Sequence, residues 1–177
     1  LAWTHNQVVL QQLGLSEAQA QEYERLAGSV IFANAAMRAD TGVILRNRRG
    51  QSGLWGYAIS GDLPILTVTI ASDRHLPLVR ESLLAHTYWR LRGFRADLVI
   101  LNQEGPGYDH PLHQQLERLI GAHSAETGLD RPGGVFLRDW HIIPEDHRNG
   151  ILAASSVVLS GARGPLQQQL AVPADKP

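Results

Sequence analysis

Two continuous apolar runs, "LPILTVTIA" at 63–71 and "ADLVILNQ" at 96–103, limit the folds open to this chain more than any other feature. Neither alternates polar with apolar, so neither suits a strand with one wet face; both suit strands buried on two faces of a parallel sheet. Between them, "HLPLVRESLLAHTYWRLRG" gathers Leu76, Val79, Leu83, Leu84 and Leu91 on one helical face and stops at Gly93. Strand, helix and strand within one sheet make a right-handed crossover. The alternation continues through "DHPLHQQLERLIGAH", with Leu112, Leu116, Leu119 and Ile120 on one face, and through "GGVFLRDW", "PEDHRNGILAASS" and "VVLSG". Gly150 weakens the last of these helices. Residues 63–162 are therefore expected to form a small Rossmann-like, three-layer α/β domain whose mainly parallel sheet has three to four strands, the first three ordered 3-2-1.

Upstream, "HNQVVLQQLG" reads as a helix closed by Gly14, and Ser16 with Gln19 forms a capping-box pattern that starts a second. Tyr23, Leu26, Ala27, Val30 and Ile31 then give that second helix an apolar face in need of a partner. Residues 1–37 are expected as a helical pair. Residues 38–62, with Asp40, Gly42, Asn47, Gly50, Gly53, Gly56 and Gly61, are expected as a glycine-rich connection holding one short helix. Residues 163–177 close the chain as a helix and a linker. A start without Met and the proline-punctuated "AVPADKP" read as the ends of a segment cut from something longer.

Composition removes several classes of function. The 177 residues are 44% hydrophobic and 19% charged, which suits one sizeable core, and no apolar run approaches the ~20 residues of a membrane helix. With 16 Lys and Arg against 17 Asp and Glu, nothing favours nucleic acid or an anionic membrane as partner. With no Cys, thiolate catalysis, disulfides and cysteine zinc sites are excluded. His110 and His113 lack an evident third ligand beyond Asp109, so no metal is expected. No phosphate loop accompanies Gly105 and Gly107, and no Gly-x-Ser-x-Gly elbow is present, so neither a nucleotide cofactor nor a serine nucleophile is expected.

Open parallel sheets bind ligands outside the carboxyl ends of their strands. Three loops meet that condition: Ser72, Asp73 and His75; Asn102, Gln103, Glu104, Tyr108 and Asp109; and Arg138, Asp139, Trp140 and His141. Convergence of Asp73, Glu104 and Asp139 would make a carboxylate site, whereas capping of helix amides is the plainer use of such residues. On a helical wheel Trp89 falls away from the leucine stripe, beside Tyr88 and Arg92, and is expected to meet a neighbouring domain, with a place over the sheet edge or the N-terminal helices as the alternative. In "QSGLWGYAISGDLP", Gly61 allows a bend that Asp62 is expected to brace through its own downstream amides. Trp55 and Tyr57 are expected to anchor that stretch to the core, with sugar stacking as their sharper use.

"NRRGQSGLWGYAISGDLPIL", "LLAHTYWRLRGFRADLVILNQEGPGY" and "GGVFLRDWHIIPED" in this order resemble a segment of the cyclic β-1,2-glucan synthases, giant bacterial inner-membrane proteins. The resemblance spans almost the whole chain. It implies a parent that builds β-1,2-glucan rings from UDP-glucose and a C-terminal region similar to glycoside hydrolase family 94 phosphorylases. It places this segment on the cytoplasmic side, ahead of the barrel that carries the family's catalytic acid, and no residue here matches that acid. Thr67 and Thr69 stand where such a segment would carry a run like Leu-Val-Arg-Ile, which a strand tolerates.

Three functions follow as expectations. One is a non-catalytic connecting module held by neighbouring domains of the parent chain, with Tyr88, Trp89 and Arg92 as contact residues. Another is an accessory β-1,2-glucan-binding module using Trp55, Tyr57, Asp62, Asn102, Gln103, Glu104 and Tyr108. The last is a small enzyme using Asp73, Glu104 and Asp139.

Overall fold

In the computed structural model, which describes residues 2–105, 110–123 and 128–171, both apolar runs are strands with every residue buried: β1 (Ile65–Ile70) and β2 (Asp97–Asn102). They pair in parallel with β3 (Val135–Asp139) and β4 (Val157–Ser160), in the order β3-β2-β1-β4. The expected 3-2-1 order holds, and the fourth strand lies beside the first. The helices are α1 (Ala2–Leu13), α2 (Glu17–Phe32), α3 (Thr41–Arg46), α4 (Ser52–Trp55), α5 (Leu76–Leu91), α6 (Pro111–His123), α7 (Glu145–Ala154) and α8 (Leu166–Leu170). The connection thus holds two short helices, α3 and α4, where one was expected.

Each strand shows alternate residues to opposite faces. Leu66, Val68, Ile70, Leu98 and Ile100 join a large core with α1, α2, α5 and α6, while Ile65, Val99, Leu101, Phe136 and Val158 join a smaller one under Leu54, Ile59, Ile143 and Ile151. The buried Thr67 is answered on that smaller side: its hydroxyl lies 2.7 Å from Ser155 Oγ, which itself donates to the Ile151 carbonyl at 2.7 Å.

The helical pair is present, opened at α2 by the expected capping box, in which Gln19 N–H donates to Ser16 Oγ and Ser16 N–H donates to Gln19 Oε1. It packs onto α5 and covers Trp89, so the alternative placement against the N-terminal helices holds and the neighbouring-domain contact expected of this ring does not. Trp89 is 2% exposed, and its indole N–H donates to the Tyr23 carbonyl at 2.8 Å. Tyr88 is equally buried, with its hydroxyl donating to Glu24 Oε1 at 2.8 Å, while Arg92 lies over the Tyr88 ring and 3.6 Å from Glu24. The physical reason is that α5 serves two layers. Leu83 and Val79 join the core against the sheet, and Tyr88 and Trp89 meet α2, so the helix has no single wet face opposite its leucines.

Charge is also drawn into this thick face. Tyr23 donates its hydroxyl to Glu81, and burial pushes its pKa far up. Glu22, 6% exposed, has its pKa raised by burial and then by the Glu81 carboxylate, and Gln167 donates to its Oε2 at 3.4 Å. At the start of β2, burial raises the pKa of Asp97, whose Oδ1 accepts the Gly133 N–H at 2.7 Å. Burial lowers that of His86, which donates from Nε2 to the Ala96 carbonyl at 2.9 Å. Next in sequence, a Cβ on Gly134 would sit 2.5 Å from the Gly128 carbonyl oxygen, so only glycine lets the chain pass there into β3.

The outer strands gain further hydrogen bonds, from a side chain at β4 and from the backbone at β3. Buried Gln169 accepts Ser160 N–H at 3.1 Å and donates to Ser160 O at 2.8 Å and Gly164 O at 2.7 Å. On β3, Leu129 bridges Val135, and Arg138 donates to the Leu137 carbonyl at 2.8 Å.

Candidate functional site

All four strands leave the sheet through the same local device. Ser72 Oγ accepts Arg74 N–H at 3.2 Å after β1, Asn102 Oδ1 accepts Glu104 N–H at 2.9 Å after β2, Asp139 Oδ1 accepts His141 N–H at 2.9 Å after β3, and Ser160 Oγ accepts Ala162 N–H at 3.3 Å after β4. Each is a side-chain-to-backbone turn two residues long, which Ser, Asn and Asp form because a short side chain reaches its own downstream amide. A residue so engaged has one of its acceptor sites on the backbone.

The expected carboxylates are accordingly dispersed in role. Asp139 holds its turn, Glu104 Oε1 accepts Leu112 N–H at 3.4 Å in the first turn of α6, and Asp73 lies exposed in a 3-10 turn. Ile70 registers with Asn102 and Asn102 with Asp139, so Asp139 ends a strand two away from the one Asp73 follows, roughly 10 Å apart across the sheet. Among the described residues no group of three or more His, Asp or Glu comes together as a metal site would. His141 Nε2 is 3.1 Å from the Gln103 carbonyl, and His75 Nδ1 accepts Ala71 N–H at 3.0 Å. Tyr108 and Asp109 lie outside the described residues.

The other candidate group sits at the far end of the strands. Asp62 precedes β1 and Asn102 ends β2, and with Ile65 opposite Asp97 and Ile70 opposite Asn102, roughly 17 Å of strand separates the two ends. Trp55, Tyr57 and Asp62 therefore do not share one groove with Asn102, Gln103 and Glu104.

Around Trp55 the details depart from expectation. Asp62 Oδ1 accepts from Gln51 Nε2 at 2.8 Å, so its partner comes from across the bend and not from its own downstream amides; Asp62 N–H instead donates to Ser60 Oγ at 3.2 Å. Gln51 Nε2 also donates to the Ser60 carbonyl at 2.7 Å, and so does the Trp55 indole N–H at 3.1 Å. Gly61, at φ +78°, makes the bend, and a Cβ there would fall 2.6 Å from Gln51 Cγ. Trp55 is 62% exposed and is no anchor to the core; buried Leu54 and Ile59 take that part. Tyr57 is half-buried, with its hydroxyl 2.5 Å from His147 Nδ1 and its carbonyl accepting Arg138 Nη2 at 2.8 Å.

Beside this bend lies a cleft of about 270 Å³ lined by Asn47, Arg49, Gln51, Leu54, Gly61 and Gly150 among others. Sequence reasoning missed it because its walls come from the connection and from α7, about a hundred positions apart. A second cleft, of about 330 Å³, lies between α6 and β3, with His113 2.9 Å from Glu117 and Arg138 2.8 Å from Asp130.

No family model matches the chain. Among curated proteins it is 29% identical over 171 residues to the cyclic beta-(1,2)-glucan synthase NdvB of Rhizobium meliloti (strain 1021). The chain resembles a segment of that synthase. The match takes in 96% of this chain and 6% of the synthase, so the chain spans a small part of the relative it matches. The expected resemblance is thereby found in the relative itself. Among the described residues no helix is long and apolar enough to cross a membrane.

Proposed function

We propose that this chain is a non-catalytic connecting module of a cyclic β-(1,2)-glucan synthase, holding neighbouring domains of the parent chain in position. The observation that carries the reading is the set of four strand-exit turns. At the end of a parallel sheet where an enzyme of this architecture would hold its ligand, Ser72, Asn102, Asp139 and Ser160 each accept from the backbone two residues on. The similarity to the synthase supports the parent activity, the making of cyclic β-(1,2)-glucan.

The test belongs in the assembled synthase. Deleting the segment is expected to abolish cyclic glucan, whereas the triple change Asp73→Asn, Glu104→Gln, Asp139→Asn is expected to leave the rate per folded molecule within about threefold. A fall of a hundredfold or more with an unchanged melting temperature would put chemistry at the strand ends and overturn the connector reading. A second reading, contact with the glucan itself, is favoured by the exposed and fixed indole of Trp55.

A further inference from the structure

One cleft is bounded by backbone groups that the fold leaves without partners. β4 is an outer strand, and along it successive residues turn their N–H and C=O alternately toward β1 and away from it. Ser160 turns both away, since both meet the Gln169 amide, so Val158 two residues earlier turns both away as well. Val158 is 7% exposed, yet among the described residues neither its N–H nor its C=O has a hydrogen-bond partner. More than about nine in ten buried backbone groups are paired, so two orphans on one residue mark a place where a partner belongs. The backbone around the cleft does not supply one. In the 3-10 turn Ala35–Met37, Ala36 N–H goes to Asn34 Oδ1 at 3.1 Å and Met37 N–H to the Asn34 carbonyl at 3.0 Å, while Ala162 N–H is held by Ser160 Oγ.

The cleft measures about 360 Å³ and is lined by Ala36, Met37, Val158, Ala162, Arg163 and Gln168 among others. A water takes up about 30 Å³ in the liquid, so the space exceeds what one bridging water needs and falls in the range of ligand pockets. A donor and an acceptor on the same residue of a strand edge are complementary to the backbone of an extended peptide, which pairs with such edges as a further strand. The fit is confined to one residue, because Gln169 already holds Ser160. Ala36, Met37 and Ala162 give that residue's side chain an apolar seat. Arg163 is exposed, and among the described residues its guanidinium has no hydrogen bond or ion pair, so its charge is open to a carboxylate. The clefts beside α7 and α6 lack this combination, since Arg49 is paired with Asp146 in one and Arg138 with Asp130 in the other.

We propose that this cleft receives an extended peptide from a part of the parent synthase outside the segment matched here, one residue of it pairing with Val158 as a neighbouring strand would and a nearby carboxylate meeting Arg163. The origin of the peptide rests on the reading of the chain as a module of the synthase, of which the match takes in 6%; the need for a peptide backbone rests on Val158. The experiment is amide hydrogen exchange, read residue by residue by NMR in the isotopically labelled 177-residue chain and by fragmentation mass spectrometry in the full synthase. In the isolated chain the Val158 amide is expected to exchange at least about a hundredfold faster than those of Val157 and Leu159, which face β1, and in the synthase to slow by about a hundredfold or more. Arg163→Glu in the synthase should restore fast exchange at Val158 and leave the melting temperature of the isolated chain unchanged, whereas Arg163→Lys should keep the protection. A Val158 amide already slow in the isolated chain, or equally fast in the synthase, would overturn the site. Protection that appears in the isolated chain as its concentration is raised would assign the cleft to a second copy and overturn the chosen partner. Protection that survives Arg163→Glu would overturn the carboxylate. None of these outcomes touches the connector reading, which stands or falls on the deletion in the synthase.

Discussion

On one face of the sheet, long helices close the core by burial: Tyr23, Leu26 and Val30 of α2 meet Tyr88 and Trp89 of α5, and Leu112, Leu116 and Ile120 of α6 lie alongside. On the other, short helices and an irregular connection close a smaller core of Leu54, Ile59, Ile143 and Ile151, with side-chain hydrogen bonds added at its margins. Arg38 donates to the Ala153 carbonyl at 2.7 Å, Arg138 to the Tyr57 carbonyl at 2.8 Å, and Arg148 to the Trp140 carbonyl at 3.3 Å with its guanidinium over the Trp140 ring. The larger core spreads burial over more contacts and resists local opening, whereas the smaller one leaves its segments freer to open alone.

The largest expected effect tests the thick face. Trp89→Ala should cost about 3–5 kcal/mol in chemical denaturation, because it empties a buried ring site and removes the indole's hydrogen bond to the Tyr23 carbonyl. A loss under about 1 kcal/mol would show that α2 and α5 are not one packed unit. On the thin face, Tyr57→Phe should cost only about 1 kcal/mol globally by removing the contact with His147. Hydrogen exchange should speed up in 50–60 and the start of α7 while α5 is unaffected, and uniform acceleration would contradict two modes of closure.

The smallest effect has the opposite sign. A carboxyl whose native pKa lies above its unfolded value of 4.5 binds its proton more tightly when folded, so its contribution is full below that value and is lost as pH climbs through the native pKa. Burial and Glu81 put Glu22 in this class. Glu22→Gln should therefore raise stability at pH 7, by up to about 1 kcal/mol, and change little at pH 4. Melting curves at the two pH values decide it, and a loss at pH 7 would mean that the charged form is the one the fold favours.

What could be read beforehand divides along the same faces. The strands, α5 and α6 were visible because continuous or helically spaced apolar residues announce burial. Trp89 was misplaced because a helical wheel assumes one buried side, and α5 has two; the apolar face of Tyr23, Leu26 and Val30 was the available sign that a second layer needed a partner. On the thin face the partners are polar and distant, as with Tyr57 and His147 or Arg49 and Asp146, and no spacing rule reaches across ninety residues. Gly61 and Asp62 announced a bend, but that Gln51 would brace it depends on how α4 folds back. The strand-exit turns were half visible, since capping is what Ser and Asp do near helix starts, yet their recurrence at every strand needed the ends of the strands to be located.

The side chain of Gln169 at the end of β4 has a further consequence. A module embedded in a very long chain is surrounded by other folded units at the effective concentrations that tethering imposes, often millimolar. Under such crowding an unpaired strand invites a stranger's strand to extend the sheet, and misassembly follows. By offering Ser160 both an acceptor and a donor, the Gln169 amide satisfies the last backbone groups of β4 with a side chain where the strand stops.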